Sequence, residues 1–233
     1  MEFVPAISQI ATLLADPKRS AMLWALIDGT ARGSEELASL VGLSTSSAGA
    51  HLARLSAGGL LKREARGRKR FFRLATPEVG AAVEALASVS VVSAETQLAE
   101  AACNAAPRSP AGMRRARVCQ EHLGGELAAD LYQRLLANGW IEQMDKHLEV
   151  SPKGSVELAR AGIYTQALAQ NARTAVCACC DWSSRRPHLG GALGASLMKL
   201  FMQSGWLKLH EDSRALQVTP AGLREITRLG SQG

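Results

Sequence analysis

The chain has 233 residues, 47% of them hydrophobic and 21% charged, a balance that supports a packed core and excludes general disorder. No apolar run approaches the roughly 18 residues a membrane span needs, and Met1-Glu2-Phe3 lacks the basic region of a secretory signal. Five cysteines, an odd number without an export signal, speak against a disulfide framework, so the expected setting is the reduced cytoplasm with no membrane partner.

Charge is concentrated. The net charge is +6, and the stretch from Lys62 to Arg73 alone holds Lys62, Arg63, Arg66, Arg68, Lys69, Arg70 and Arg73 against the single acid Glu64. That segment carries the whole imbalance, the footprint expected of a phosphate-binding element.

In chain order, apolar residues at helical spacing predict helices over 4–15 and 18–28. Asp16-Pro17 supplies an acidic cap and a first-turn proline, and Gly29 a left-handed stop. Ser34 is expected to cap a short helix over Glu35 to Val41. After Gly42-Leu43-Ser44, a second helix is expected from Thr45 to Ala57. Two short helices around a glycine-containing turn have the layout of a helix-turn-helix. The second presents Ser44, Thr45, Ser46, Ser47, Gly49, His51 and Arg54, small and polar groups that allow close approach to a major groove. Strands over 60–64 and 70–74, joined by Ala65 to Lys69, form a basic hairpin, and Thr76-Pro77 opens a helix to about Ser88. Arg66, Arg68, Lys69 and Arg70 are the expected phosphate contacts of this wing.

Residues 1 to about 90 resemble the ArsR/SmtB family of winged-helix repressors. The likeness rests on Leu13, Ala15-Asp16-Pro17-Lys18-Arg19, Glu36-Leu37-Ala38, the run from Leu43 to Leu52, Leu55, Gly59-Leu60-Leu61 and the wing. It implies a homodimer whose first and last helices pack together, a palindromic double-stranded operator and release by an inducer. The metal-sensing signatures of that family are missing. Ser34 to Val41 holds neither Cys nor His, and Pro77 to Ser93 holds no His, so a sensor is expected elsewhere.

Residues 91–112, with Pro107, Pro110 and Gly112, read as a junction with a helical piece near Ala94 to Ala102. Beyond them lies a duplication, over about 117–165 and 177–230 of a domain spanning 113–233. His122-Leu123-Gly124-Gly125 recurs as His188-Leu189-Gly190-Gly191, an offset of 66. Leu127, Leu131 and Leu135 match Leu193, Leu197 and Phe201, and Gly139-Trp140-Ile141 matches Gly205-Trp206-Leu207. Val150-Ser151-Pro152-Lys153-Gly154 matches Val218-Thr219-Pro220-Ala221-Gly222 after a two-residue difference. Each copy reads as the second half of a winged unit, so the fold class is mainly α, an α+β winged helix followed by two winged-helix-like repeats. Their turns carry no net charge, which makes them poor DNA readers and points to sensing or dimerisation.

Cys119 and His122, three apart, are expected to share a helix face and hold a metal from one side. Cys177, Cys179 and Cys180, close to Arg185, Arg186 and His188, offer thiols whose pKa neighbouring arginines lower. A thiophilic metal, an arsenical or an oxidant is the corresponding inducer class. The alternatives are cysteines that only fill an Ala-rich core, with an organic effector near Trp182, and a nucleoid-type protein that binds DNA without sequence preference. No nucleophile elbow, phosphate loop, dinucleotide fingerprint or metallohydrolase motif marks an enzyme.

Overall fold

The structure is a computed structural model that describes residues 7–67, 69–92, 111–145, 147–171, 174–209 and 213–231. Arg68, Lys146 and the helical piece expected near Ala94 to Ala102 lie outside the described residues. The chain forms two compact units, 1–110 and 111–233.

In the first unit, α1 (Ile7–Leu14) and α2 (Pro17–Ala25) precede a two-residue strand, β1 (Arg32–Gly33). The helix-turn-helix follows as α3 (Ser34–Leu40) and α4 (Thr45–Ala57), then β2 (Leu61–Arg66), β3 (Lys69–Leu74) and α5 (Pro77–Val92). The expected cap of α2 is present: Asp16 accepts from the Arg19 amide at 2.9 Å, and Pro17 opens the helix. That helix ends at Ala25 rather than near Asp28: the Leu26 and Ile27 amides bond to the carbonyls three residues back, and Asp28 accepts from both Thr30 N and Thr30 Oγ in the turn that follows. Ser34 does not cap α3. It is the first helical residue, and Gly33 before it stands in extended backbone and offers no side-chain oxygen. The extended residue is engaged elsewhere, since Arg32 and Gly33 pair with Phe72 and Phe71 in an antiparallel sheet of order β1-β3-β2. Two residues are too short to show an alternating pattern, so this strand was not legible in the sequence. Met22, Leu23, Leu26, Ile27, Leu37, Leu52 and Leu55 are fully buried and form the core that fixes α4.

The second unit repeats one pattern twice: hairpin, helix, hairpin, helix. After α6 (Ala111–Arg115), the first copy runs β4 (Arg117–Cys119), β5 (His122–Gly124), α7 (Glu126–Ala137), β6 (Ile141–Gln143), β7 (Leu148–Val150) and α8 (Pro152–Arg160). A short helix α9 (Thr165–Asn171) leads to the second: β8 (Cys177–Cys180), β9 (Pro187–Gly190), α10 (Gly191–Gln203), β10 (Leu207–Leu209), β11 (Leu216–Val218) and α11 (Pro220–Arg228). The copies exchange their leading hairpins. Helix α7 packs on β9, α10 packs on β5, and β5 lies beside β9. Leu123, Leu131 and Leu135 thereby share one core with Leu189, Leu197 and Phe201. In each copy the helix that would read DNA in a winged unit is buried against the other copy.

The duplicated Pro-x-Gly motif has a physical cause. Ser151 and Thr219 are the N-caps of α8 and α11, accepting from the amides of Gly154 and Gly222, with proline in the first turn. The same caps donate their own amides to the Trp140 and Trp206 carbonyls at 3.0 Å. A β-carbon on Gly154 or Gly222 would fall 1.9 or 2.1 Å from those carbonyl oxygens, so only glycine lets the helix start meet the strand. Gly154→Ala and Gly222→Ala are each expected to destabilise the second unit by about 1–3 kcal/mol or more, read as a lower urea midpoint at unchanged slope. Wild-type midpoints would contradict this packing.

Candidate functional site

Two constellations stand out, one in each unit. In the first, α4 buries Ala48, Leu52 and Leu55 and turns Thr45, Ser46, Ser47, Gly49 and Arg54 outward. Ser44 caps the helix, its hydroxyl accepting from the Ser47 amide. A groove separates this face from the wing, with Thr45, Ser46 and Gly49 on one wall and Arg63, Lys69 and Arg70 on the other. Lys69 and Arg70 are exposed, whereas Arg66 lies over the Phe71 ring at 5.0 Å and 3.2 Å from Glu64. His51 faces inward instead: it is half-buried, with Nδ1 3.7 Å from the Asp16 carboxylate. Of the expected DNA-facing residues that the structure describes, it alone is paired with Asp16, the cap of α2.

In the second unit, the exchanged hairpins bring Cys119, His122, Cys179 and His188 together. One potential ligand atom from each lies within 4.8 Å of all the others. Cys119 pairs with His122 across β4–β5, and Cys179 with His188 across β8–β9. Cys119 and His122 are therefore cross-strand neighbours, not members of one helix face as their spacing implied; a two-residue turn, Gln120-Glu121, stands where a helix was expected. The His122 and His188 Nε2 atoms are 3.2 Å apart, and both rings are buried. Nδ1 of His188 is buried with no hydrogen-bond partner among the described residues. The Cys179 thiol raises the pKa of Cys119 beside it, and Cys119 in turn lowers that of Cys179, while burial pushes both upward.

Cys177 and Cys180 are not among these four. Strand alternation puts Cys180 on the face opposite Cys179 and Cys177 on the same face as Cys179, across from Gly190. Burial raises the pKa of both, so of the three thiols expected to be activated only Cys179 is lowered, by Cys119 first and with a contribution from the Arg117 charge. Arg186 instead reaches the Asp130 carboxylate at 2.6 Å.

Next to the cluster, Arg117 and Asp181 form an ion pair of 2.9 Å with both side chains fully buried. One Asp181 oxygen also accepts from the Gly125 amide at the start of α7, and the other from Ser183 and Ser184. Burial raises the Asp181 pKa, but the Arg117 charge and these donors outweigh it and hold the carboxyl well below the usual range. The Arg117 guanidinium lies 4.1 Å above the Trp182 ring, so Trp182 is a buried partner of this pair. Gly125 has φ 99, and a β-carbon there would meet the Arg114 carbonyl at 2.7 Å, which explains the second glycine of the repeated motif.

No family model matches the chain. It is 31% identical over 219 residues to the uncharacterized HTH-type transcriptional regulator YdfF of Bacillus subtilis (strain 168), covering 94% of each protein. The chain belongs to the helix-turn-helix transcriptional regulators. Among solved structures, reduced HlyU from Vibrio cholerae is 28% identical, covering 36% of the regulator and 86% of HlyU at a TM-score of 0.33. A homodimeric winged helix-turn-helix fragment from Mycobacterium bovis, a possible ArsR-family regulator, is 26% identical, covering 42% and 94% at 0.34. The regulator's match to YdfF spans both of its units, whereas these structures match only about two-fifths of the chain.

The sequence singled out all four members of the buried cluster and the Cys119–His122 pair, but not the meeting of the two hairpins, and it missed Arg117 and Asp181. Aligning the copies on histidine hides the second cysteine, because eight residues separate Cys179 from His188 and only two separate Cys119 from His122. Removing one partner of a buried ion pair leaves an uncompensated charge, so Asp181→Ala is expected to cost the regulator's second unit about 3–5 kcal/mol. Because the folded-state pKa of Asp181 is depressed, the pair's contribution is fully present above the unfolded value of about 3.9 and is lost as pH falls below it. Denaturant melts of wild type and variant at neutral pH and near pH 2 check both points. A difference that persists undiminished at the lower pH would contradict the charge pairing.

Proposed function

We propose that the regulator is a cytoplasmic homodimeric repressor of the ArsR/SmtB type that leaves a palindromic operator when its second unit takes up an inducer. The observation that carries the DNA half is the groove between α4 and the wing, with small polar side chains on one wall and arginine and lysine on the other. Hydroxyls and Arg54 on α4 address base edges, while Lys69 and Arg70 hold the flanking backbone. Exposed Ile7 on α1 and Leu86 and Val89 on α5 support self-association through the first and last helices of the unit. The sensing half is supported by the Cys119, His122, Cys179 and His188 cluster, a set suited to a thiophilic metal, with arsenicals and oxidants as the competing inducers.

Lys69→Ala/Arg70→Ala is expected to weaken binding to every duplex and to flatten the slope of log K against log[salt] by about 0.9 per lost phosphate contact. Ser46→Ala or Arg54→Ala should change which sequence is preferred, with a cost of about 1–3 kcal/mol at the affected base pair. Fluorescence anisotropy on DNA from upstream of the regulator's own gene reads both. The same assay, with arsenite, divalent metals and a mild oxidant titrated in turn, tests release. One of them is expected to dissociate the wild-type complex and leave Cys119→Ser/Cys179→Ser bound. Tight binding that none of them disturbs would overturn the sensing mechanism.

A further inference from the structure

The two hairpins of the second unit are equivalent around the cluster. Register equates Cys119 with Cys179, His122 with His188, and Gly124 with Gly190. Each copy of the repeat therefore delivers one sulfur and one imidazole to a common point, although neither copy alone holds more than two ligands. A tetrahedral ion with metal–nitrogen bonds of about 2.0–2.1 Å sets its two nitrogens about 3.3 Å apart. The His122 and His188 Nε2 atoms stand at 3.2 Å. Two sulfurs and two nitrogens, all within 4.8 Å of one another, complete the four corners.

We infer that Cys119, His122, Cys179 and His188 form a single Cys2His2 centre for a borderline divalent cation of the Zn(II) class, shared between the two repeats. This deepens the sensing reading by naming the ion class and the full ligand set. Charge agrees with the choice: two thiolates neutralise one divalent ion, and the nearby Arg117–Asp181 pair is neutral by itself. Among the described residues two sulfurs belong to the cluster; strand alternation turns Cys180 to the other face of β8, and Cys177, on the face of Cys179, lies outside the set. With all four protein ligands in place no coordination position is left open, the arrangement of a closed site and not of a catalytic one. Metal uptake then ties the two hairpins together, so the ion acts on the packing of one repeat against the other.

The test uses the full-length reduced chain, stripped with chelator and titrated with Co(II), then displaced with Zn(II). One Co(II) per chain is expected, with a thiolate-to-metal charge-transfer band in the near ultraviolet and intense tetrahedral d–d bands, both abolished by one equivalent of Zn(II). Cys119→Ser and Cys179→Ser should each lose about half of the charge-transfer intensity and weaken binding by more than the roughly 10- to 100-fold that loss of an outer partner costs. His122→Gln should shift the d–d bands, and Cys177→Ser/Cys180→Ser, folded by circular dichroism, should bind as wild type. A weak octahedral spectrum, or bands lost in Cys177→Ser/Cys180→Ser instead, would overturn the centre. One tightly held ion that leaves operator affinity unchanged would keep the centre and overturn the proposed release.

Discussion

The second half of the molecule depends on one constraint, the close passage of β5 against β9 where the two repeats exchange hairpins. That passage is what lets α7 and α10 each bury an apolar face on the other copy's strand, joining Leu131, Leu197 and Phe201 in a common core. It is also what places His122 against His188, residues 66 apart in sequence. A helix-hairpin-helix segment alone has no second layer on which to pack; two copies supply each other with one. A glycine outside the repeated motif serves this passage. A β-carbon on Gly194 would strike the Leu189 carbonyl oxygen at 2.5 Å and His122 Cβ at 3.0 Å, so α10 reaches the crossing only without a side chain there.

The Arg117–Asp181 pair shows how such a crossing is locked. Arg117 comes from the first hairpin and Asp181 from the turn of the second, while the Gly125 amide binds the same carboxylate at the start of α7. A buried pair of this kind adds little over well-packed apolar side chains, yet breaking it is costly, and it fixes one register between the repeats. A uniform apolar interface would tolerate sliding; a buried charge pair with a fully satisfied carboxylate does not. The cysteines and histidines beside it are thereby held within ligand distance before any ion arrives, which limits the conformational entropy lost on binding.

The two units differ in how far their sequences disclose them. In the first, the elements follow local rules: Asp16-Pro17 starts α2, Thr45 to Ala57 is helical throughout, and the basic cluster falls on β2 and β3. What escaped there is governed by distant partners, as with β1, which exists only through pairing with Phe71 and Phe72, and His51, which is drawn to Asp16. In the second unit the duplication was plain and the four cluster residues were visible. Their geometry was not, because Cys119-x-x-His122 spacing fits one turn of helix as well as a tight hairpin, and cross-strand partners leave no local trace. The pairing of Arg117 with Asp181 was equally hidden, since their separation in sequence carries no periodicity.

Function follows from dividing these tasks between the units. The first presents an outward helix face and a basic wing, and the match to a helix-turn-helix regulator along 94% of the chain extends through the second unit as well. The second unit retains the winged layout but packs the corresponding helices, α7 and α10, on the other copy's strands, and its hairpins hold the four residues proposed as a metal centre. The most direct measurement of that claim is X-ray absorption at the zinc edge on the full-length chain loaded with one equivalent of Zn(II). The account predicts a four-coordinate shell of two sulfurs near 2.3 Å and two imidazole nitrogens at about 2.0–2.1 Å. A shell of oxygen and nitrogen alone, or one of three or more sulfurs, would contradict it.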